Sequence, residues 1–428
     1  MSSRWRAGRS SRRKEGASAL GTIVVASLVL GELAPRVDDR NVPWLASRMG
    51  EPQTVALLSS VASGMMVFTG ITFSLLFVLL QFGSTAYSPR IVAIVARPRI
   101  LGRAGGTFIG TFLYALMALR GVGALSGGQT SSLTVWVAFA WLFGSVWMLI
   151  RLVEFVASLL QANVLYLLGD TGRREISRMY SPLPAAACVN TPTPLGPPTR
   201  TLVHQGPPRY LLAIDVEGLV ALARAAGAVV RVPASIGDPI AAGAVLATVH
   251  GGGLDIPASA LRDAFRLDRD RVLEDDPKYA LRLLVDVAIR ALAPGLNEPT
   301  TAVLALDQIE SILAILGGLQ LEVGEVCDAS GALRLVYEVT RWEEYLELAV
   351  AEIQHYGAGS VQVGRRLAAL FDFLIEQVPT VRRDAVERLA QGQLASLGRH
   401  FPDSIARAQA AQRDRQGFGH SRDRPHIR

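Results

Sequence analysis

Two short runs hold the residues best placed to do chemistry. In Ala293-Pro-Gly-Leu-Asn-Glu-Pro-Thr300, the side chains of Asn297, Glu298 and Thr300 stand just before an apolar helical pattern. A helix N-terminus offers unpaired N–H groups and a positive dipole end, so these three residues could surround an anion. Glu298 opposes this with its own charge. The same run can be purely structural: Gly295 takes the left-handed conformation that ends one helix, Asn297 caps the next, and Pro299 occupies its first turn. His355, followed by Tyr356 and Gly357, reads either as a general base or as a cation at a helix C-terminus. Ser88, Pro89 and Arg90 follow a long apolar stretch, where Pro89 restarts a helix and Arg90 reaches phospholipid headgroups. Arg120 lies within another apolar stretch, five residues from its end. It is either a functional charge or a side chain that snorkels to water.

Beyond these, no standard catalytic signature is present: no Walker A loop, HExxH, GxSxG or GxGxxG between strand and helix. The six histidines are scattered without metal-ligand spacing, and two cysteines, Cys188 and Cys327, cannot form a disulfide framework. The expectation is therefore a protein that is not an enzyme, with no cofactor and no metal.

The elements that must position these residues begin with four apolar stretches: Ala17 to Leu33, Thr54 to Phe82, Gly105 to Leu125 and Leu133 to Ile150. Each approaches or exceeds the roughly 20 residues that span a bilayer. Half of the 428 residues are hydrophobic and 19% are charged, with a mean hydropathy of +0.31, which argues against a purely soluble protein. The net charge of +6 is unevenly placed: residues 1–163 carry +9 and residues 164–428 carry −3. A basic excess confined to the apolar half points to membrane topology and not to nucleic acid. A basic run before an apolar stretch also describes a signal peptide. Here another long apolar stretch follows, so the first is read as an uncleaved helix.

Basic residues are retained on the cytoplasmic side. The N-terminal flank has six, and the loop 83–104 has Arg90, Arg97, Arg99 and Arg103. Both belong inside, and four spans then leave both termini in the cytoplasm of a bacterial cell, with the spans in its inner membrane. Only Lys14 and Lys278 among the 43 basic residues are lysines, which reads as codon bias. Gly106 and Gly110 make a small-xxx-small pair, and Ser59, Ser60, Ala62, Ser63 and Gly64 gather on the second span. Such residues allow close helix packing and carry the expectation of a homo-oligomer.

After the spans, a helix carries on into water, and eight prolines between 182 and 208 mark a linker. From Tyr210, short apolar segments and turns predict a small β-rich unit. Its VPASIGDPIAAGAVLATV resembles half of a lipoyl-like barrel-sandwich, in shape only, since no lysine there could carry a cofactor arm. Helices are predicted at Pro277 to Leu292, Pro299 to Leu316, Trp342 to Tyr356, Val361 to Gln377 and Val381 to Leu397, with a strand at 333–339. The fold class is thus an α-helical membrane protein of four transmembrane helices followed by a cytosolic α+β region. The divisions are a basic N-terminus (1–16), a membrane domain (17–160), a helix and Pro-rich linker (161–208), a β-rich unit (209–258), a helical domain (259–400) and a disordered tail (411–428).

Four motifs in this order, QFGSTAYSPRIV, AIDVEGLVALA, IRALAPGLNEPTTAVLALD and IQHYGAGSVQVGRRL, resemble the domain of unknown function 2254 family of predicted bacterial membrane proteins. Two positions depart from the family pattern: Glu298 precedes Pro299 where an Asp is expected, and His355 stands where an arginine is expected. The resemblance implies a membrane topology and supplies no catalytic residues. Two functional readings follow: a membrane-anchored binding, sensor or scaffold module, or an oligomeric channel or transporter gated by its cytosolic domain. Few polar residues in the spans favour the anchor. The expected partners are the lipid bilayer, a second copy of the chain, and a small ligand or protein, with no nucleic acid.

Overall fold

The computed structural model describes residues 10–36, 50–86, 91, 98–124, 131–160, 163–180, 195–253, 256–273, 276–321 and 324–419. It forms two compact units, residues 1–163 and 164–428.

Among the described residues, the first unit has four long helices: α1 (Ser10–Leu33), α2 (Glu51–Ala86), α3 (Pro98–Ala124) and α4 (Ser132–Leu160). At 1.5 Å per residue α2 is about 54 Å long, more than a bilayer core needs. Helix α1 lies along α3, and glycines make that approach possible. A Cβ on Gly31 would sit 2.7 Å from Met117 Cβ, and one on Gly121 would sit 2.8 Å from Pro35 Cγ. The expected small-residue pair faces α1 as well, since Gly106 lies against Leu20 and Gly110 against Ser27. These glycines therefore serve packing within one chain, and of the residues behind the expected oligomer only those on α2 remain, with Ser59, Ser60 and Ser63 exposed. Between α3 and α4, Thr111 Oγ1 bonds Ser145 Oγ at 2.8 Å and Tyr114 donates to the Thr134 carbonyl at 2.8 Å. Phe73, Phe77, Phe143 and Trp147 point outward, which suits hydrocarbon surroundings.

Among the described residues, four helices are long and apolar enough to cross a membrane by length and composition. Three are α2, α3 and α4, and the fourth lies in the second unit at Pro299–Gly317. That helix buries Ala302, Ala305, Leu306, Ile309, Ile312 and Leu313 among protein neighbours, so its apolarity is that of a central core helix. The first expected span falls in α1, whose apolar part is shorter and which begins within the basic flank.

The second unit opens with α5 (Asn163–Met179), followed by β1 (Pro198–Val203), β2 (Arg209–Ile214), α6 (Val216–Ala225), β3 (Ala228–Val232), β4 (Pro239–Ile240) and β5 (Val245–Gly251). Then come α7 (Ala258–Asp263), β6 (Phe265–Asp268), α8 (Pro277–Ala291), α9 (Pro299–Gly317), β7 (Glu325–Cys327) and β8 (Leu333–Tyr337). Helices α10 (Trp342–Tyr356), α11 (Val361–Gln377), α12 (Thr380–His400) and α13 (Ser404–Ala411) complete it.

One sheet has the order β1-β5-β3-β8-β7 and the other β4-β2-β6. Their inner faces share a core that includes Leu211, Val230, Val232, Leu246, Val249 and Leu335, closed by Leu219 of α6. Gly237 and Gly243 have φ of +92° and +82°, so the turns flanking β4 need residues without a Cβ.

Three expectations change here. The linker was expected to run to 208, but β1 occupies 198–203 and pairs antiparallel with β5. The β-rich unit was expected to end at 258. In fact β6 pairs with β2, and β8 pairs parallel with β3, placing Val230 opposite Leu335. A sheet completed by a strand about a hundred residues downstream leaves no local signal of that partnership. The tail expected to be disordered from 411 is placed as far as residue 419. Asp414 is buried there, and its carboxylate accepts from Gln416 N at 2.9 Å and from Gly419 N. Residues 420–428 lie outside the described residues.

In the helical part α9 is central, packed by α8, α10 and α11. Arg366 of α11 is 2% exposed and donates to Asp307 at 2.8 Å and Glu310 at 2.7 Å, both on α9. Arg382 of α12 closes the other end of α9 by donating to the Leu316 carbonyl at 2.7 Å, with Trp342 against its guanidinium. On α8, Arg282 bonds Asp286 at 2.8 Å and also Glu352 of α10, and this holds the Glu352 carboxyl below its ordinary range.

Candidate functional site

The motif residues are surface residues. Asn297, Glu298, Thr300 and His355 are all exposed. Asn297, not Gly295, takes the left-handed conformation, with φ +49°, and it is the only non-glycine with positive φ among the described residues. The N-cap of α9 is Glu298, which makes no side-chain capping bond. Asn297 therefore ends the turn after α8 and does not cap α9, so glycine, and not aspartate, becomes its least disturbing replacement. Glu298 accepts from the Thr301 hydroxyl at 3.2 Å.

The structure does join the two motifs at one end of the helical bundle. Gln362 of α11 donates to Thr300 Oγ1 at 3.4 Å, and a Cβ on Gly357 would meet Val363 Cγ1 at 2.6 Å. His355 sits in the last turn of α10 with its ring edge-on to Tyr356 at 5.1 Å. Arg120 is exposed one turn before the end of α3. Ser88, Pro89 and Arg90 lie outside the described residues.

A different place in the second unit is built like a site. A cavity of about 290 Å³ opens where the sheets meet the helices. The end of α5 contributes Tyr180, the β3–β4 loop Ser235, and the first turn of α8 Lys278. The connection from β8 to α10 contributes Thr340, and α10 itself Tyr345. These five side chains form two hydrogen-bonded groups on the cavity wall. Tyr180 and Tyr345 hydroxyls are 2.9 Å apart, and Thr340 Oγ1 lies 3.3 Å from Ser235 Oγ. Lys278 Nζ donates to Ser235 Oγ at 3.2 Å and to Asp238 at 3.3 Å. Met179, Leu321 and Val339 supply apolar wall.

Local sequence explains how these groups are held. Asp276 accepts from the Tyr279 N–H at 3.1 Å and so caps α8, which sets Lys278 in the first turn. Asp276 is 1% exposed. Burial raises its pKa, and Arg271, bonded at 2.7 Å, opposes the rise. Asp238 accepts from the Ser235 N–H at 2.8 Å, so the loop that presents Ser235 is tied to the carboxylate that holds Lys278. Burial raises the pKa of Tyr180, Tyr337 and Tyr345, Tyr345 well above the ordinary value, so all three phenols keep their protons at neutral pH.

Sequence reasoning missed every member of this cluster. The signal available was Lys278, one of two lysines in a chain that otherwise uses arginine. The other members of the cluster come from four separate segments. No group of three or more His, Cys, Asp or Glu residues able to hold a metal occurs among the described residues.

Long apolar helices in one unit and a mixed sheet-and-helix unit beside them in sequence define a multi-pass membrane protein with a large additional domain. The chain belongs to the family described as predicted membrane protein (DUF2254), whose sequence profile matches residues 18–372. Among its relatives, Uncharacterized protein Mb1321c of Mycobacterium bovis is 28% identical over 377 residues, covering 82% of this chain and 70% of the relative. Uncharacterized protein Rv1290c of Mycobacterium tuberculosis matches to the same extent. No solved structure matches the chain significantly.

Proposed function

We propose that this protein is a membrane-anchored binding module of the bacterial inner membrane: the first unit holds it in the bilayer, and the second, on the cytoplasmic side, takes a small ligand into the cavity. The observation that carries this reading is the gathering of the Tyr180, Tyr345, Thr340 and Ser235 hydroxyls with Lys278 on one cavity wall. It brings polar groups from five elements to one cavity, beside apolar wall. An anchor is favoured over a channel because two of the polar contacts between α3 and α4 are bonds from one helix to the other, although the Thr134 hydroxyl is buried without a partner among the described residues. Thr111 pairs with Ser145, and Tyr114 with the Thr134 carbonyl. A conduction path would turn such groups toward an opening.

Two measurements test the reading. Alkaline phosphatase fused after Gly128 is expected to be active and fused after Asp170 inactive, as the arginines of loop 83–104 require. The reverse pattern would place the second unit outside the cytoplasm. Protein purified from its native cells and then denatured is expected to release a small molecule, detected by mass spectrometry. A Thr340→Trp variant, which fills the cavity, is expected to release less. Equal amounts from both proteins, or none from the wild type, would remove the cavity as a ligand site.

A further inference from the structure

We propose that the cavity takes a small monocarboxylic acid with an apolar body, the carboxylate at Lys278 and the body against Met179, Leu321 and Val339. This rests on the reading of the cavity as a ligand site and adds the class of ligand.

The donors at the lining argue for a ligand rich in acceptors. An ammonium can only donate, and of the three Lys278 N–H groups Ser235 Oγ and Asp238 take two. The third is left for a ligand. The Tyr180 and Tyr345 hydroxyls share one proton between them and carry a second that can be given to a ligand. The groups that complement such donors are oxygens carrying lone pairs or charge.

The charge argues for one negative unit. Among the described lining residues Lys278 is the one cation, in a chain where nearly every other basic residue is arginine. Arginine forks suit phosphate and other bidentate dianions, and no arginine is among the described lining residues. Glu338 stands at the lining, paired with Arg231 at 3.9 Å, and Asp238 already shares the Lys278 ammonium. A second negative charge on the ligand would meet both carboxylates. The volume of about 290 Å³ lies at the small end of ligand pockets, and the remaining wall is side chains without charge.

The test uses the full-length protein in nanodiscs of neutral lipid, with binding followed by calorimetry. The probes are a series of straight-chain acids from acetate to decanoate together with benzoate, each beside its amide, and also phenyl phosphate. At least one acid is expected to bind, with its amide roughly tenfold weaker or worse, since a hydrogen bond to a charged group is lost. Lys278→Met is expected to weaken that acid by about tenfold and to leave its amide unchanged. Tyr180→Phe removes only the terminal hydroxyl and is expected to give a smaller loss with the fold intact. Lys14→Met, at the other lysine, is expected to change nothing. Equal binding of an acid and its amide, or tighter binding of phenyl phosphate than of benzoate, overturns the carboxylate assignment while leaving a ligand site in place. No acid bound by the wild type overturns the proposal, and the small molecule released from native protein then decides separately whether the cavity is a ligand site at all.

Discussion

Replacing Arg366 by leucine is expected to destabilise the helical part of the second unit by about 3 kcal/mol, the scale seen when one partner of a buried ion pair is removed. The guanidinium is 2% exposed and joins α11 to α9 through Asp307 and Glu310. Its loss leaves the Glu310 carboxylate, itself only 14% exposed, without its cation in a packed interface. Asp307 is 42% exposed and rehydrates more easily, which keeps the expected effect at the lower end of the range. Hydrogen exchange of α9 and α11 amides in the detergent-held protein reads the change directly, as faster opening confined to the second unit. Adding Asp307→Asn and Glu310→Gln should recover much of the loss, because the unpaired charges are then gone. A change below about 1 kcal/mol, the size of an exposed pair, would mean that the bridge carries little of the packing.

The second large effect is expected in the membrane unit. In a background with Cys188 and Cys327 changed to serine, Ser27→Cys with Gly110→Cys should form a disulfide. The Cβ atoms at these positions are 3.5 Å apart, within disulfide range. Adding Gly31→Ile should abolish most of that cross-link. The new Cβ would stand 2.7 Å from Met117 Cβ and 3.0 Å from the Tyr114 carbonyl, and backbone cannot step aside as a flexible side chain can. Helix α1 must then leave α3. Gly64→Ile is the control, since its Cβ meets nothing within 4 Å. Equal cross-linking in the two variants would show that α1 does not depend on the close glycine contact.

How far local signals reach is clearest in the helices of the second unit. Trp342–Tyr356 and Val361–Gln377 begin and end where the periodicity and the Gly357–Ser360 connection indicate, because caps and breakers act over a few residues. The apolar count alone cannot separate α9 from a bilayer span, since a helix surrounded by protein and one surrounded by lipid need the same side chains. What distinguishes α9 is the pair Asp307 and Glu310, whose cation lies about sixty residues downstream. The Asn297 turn was visible as a helix junction, yet its left-handed residue was misassigned between Gly295 and Asn297, both of which tolerate that conformation.

By itself the sequence determined a multi-pass membrane protein, its family motifs and most of the helix boundaries, because hydropathy, capping and turn chemistry are properties of neighbouring residues. Only the tertiary structure decided that β8 completes the sheet begun by β3, that the glycines of α3 are spent on α1, and that Tyr180, Ser235, Lys278, Thr340 and Tyr345 meet around one cavity. Those partners are separated by tens of residues. A lone hydroxyl or lysine in a sequence looks the same whether it faces water or joins a buried chain of hydrogen bonds.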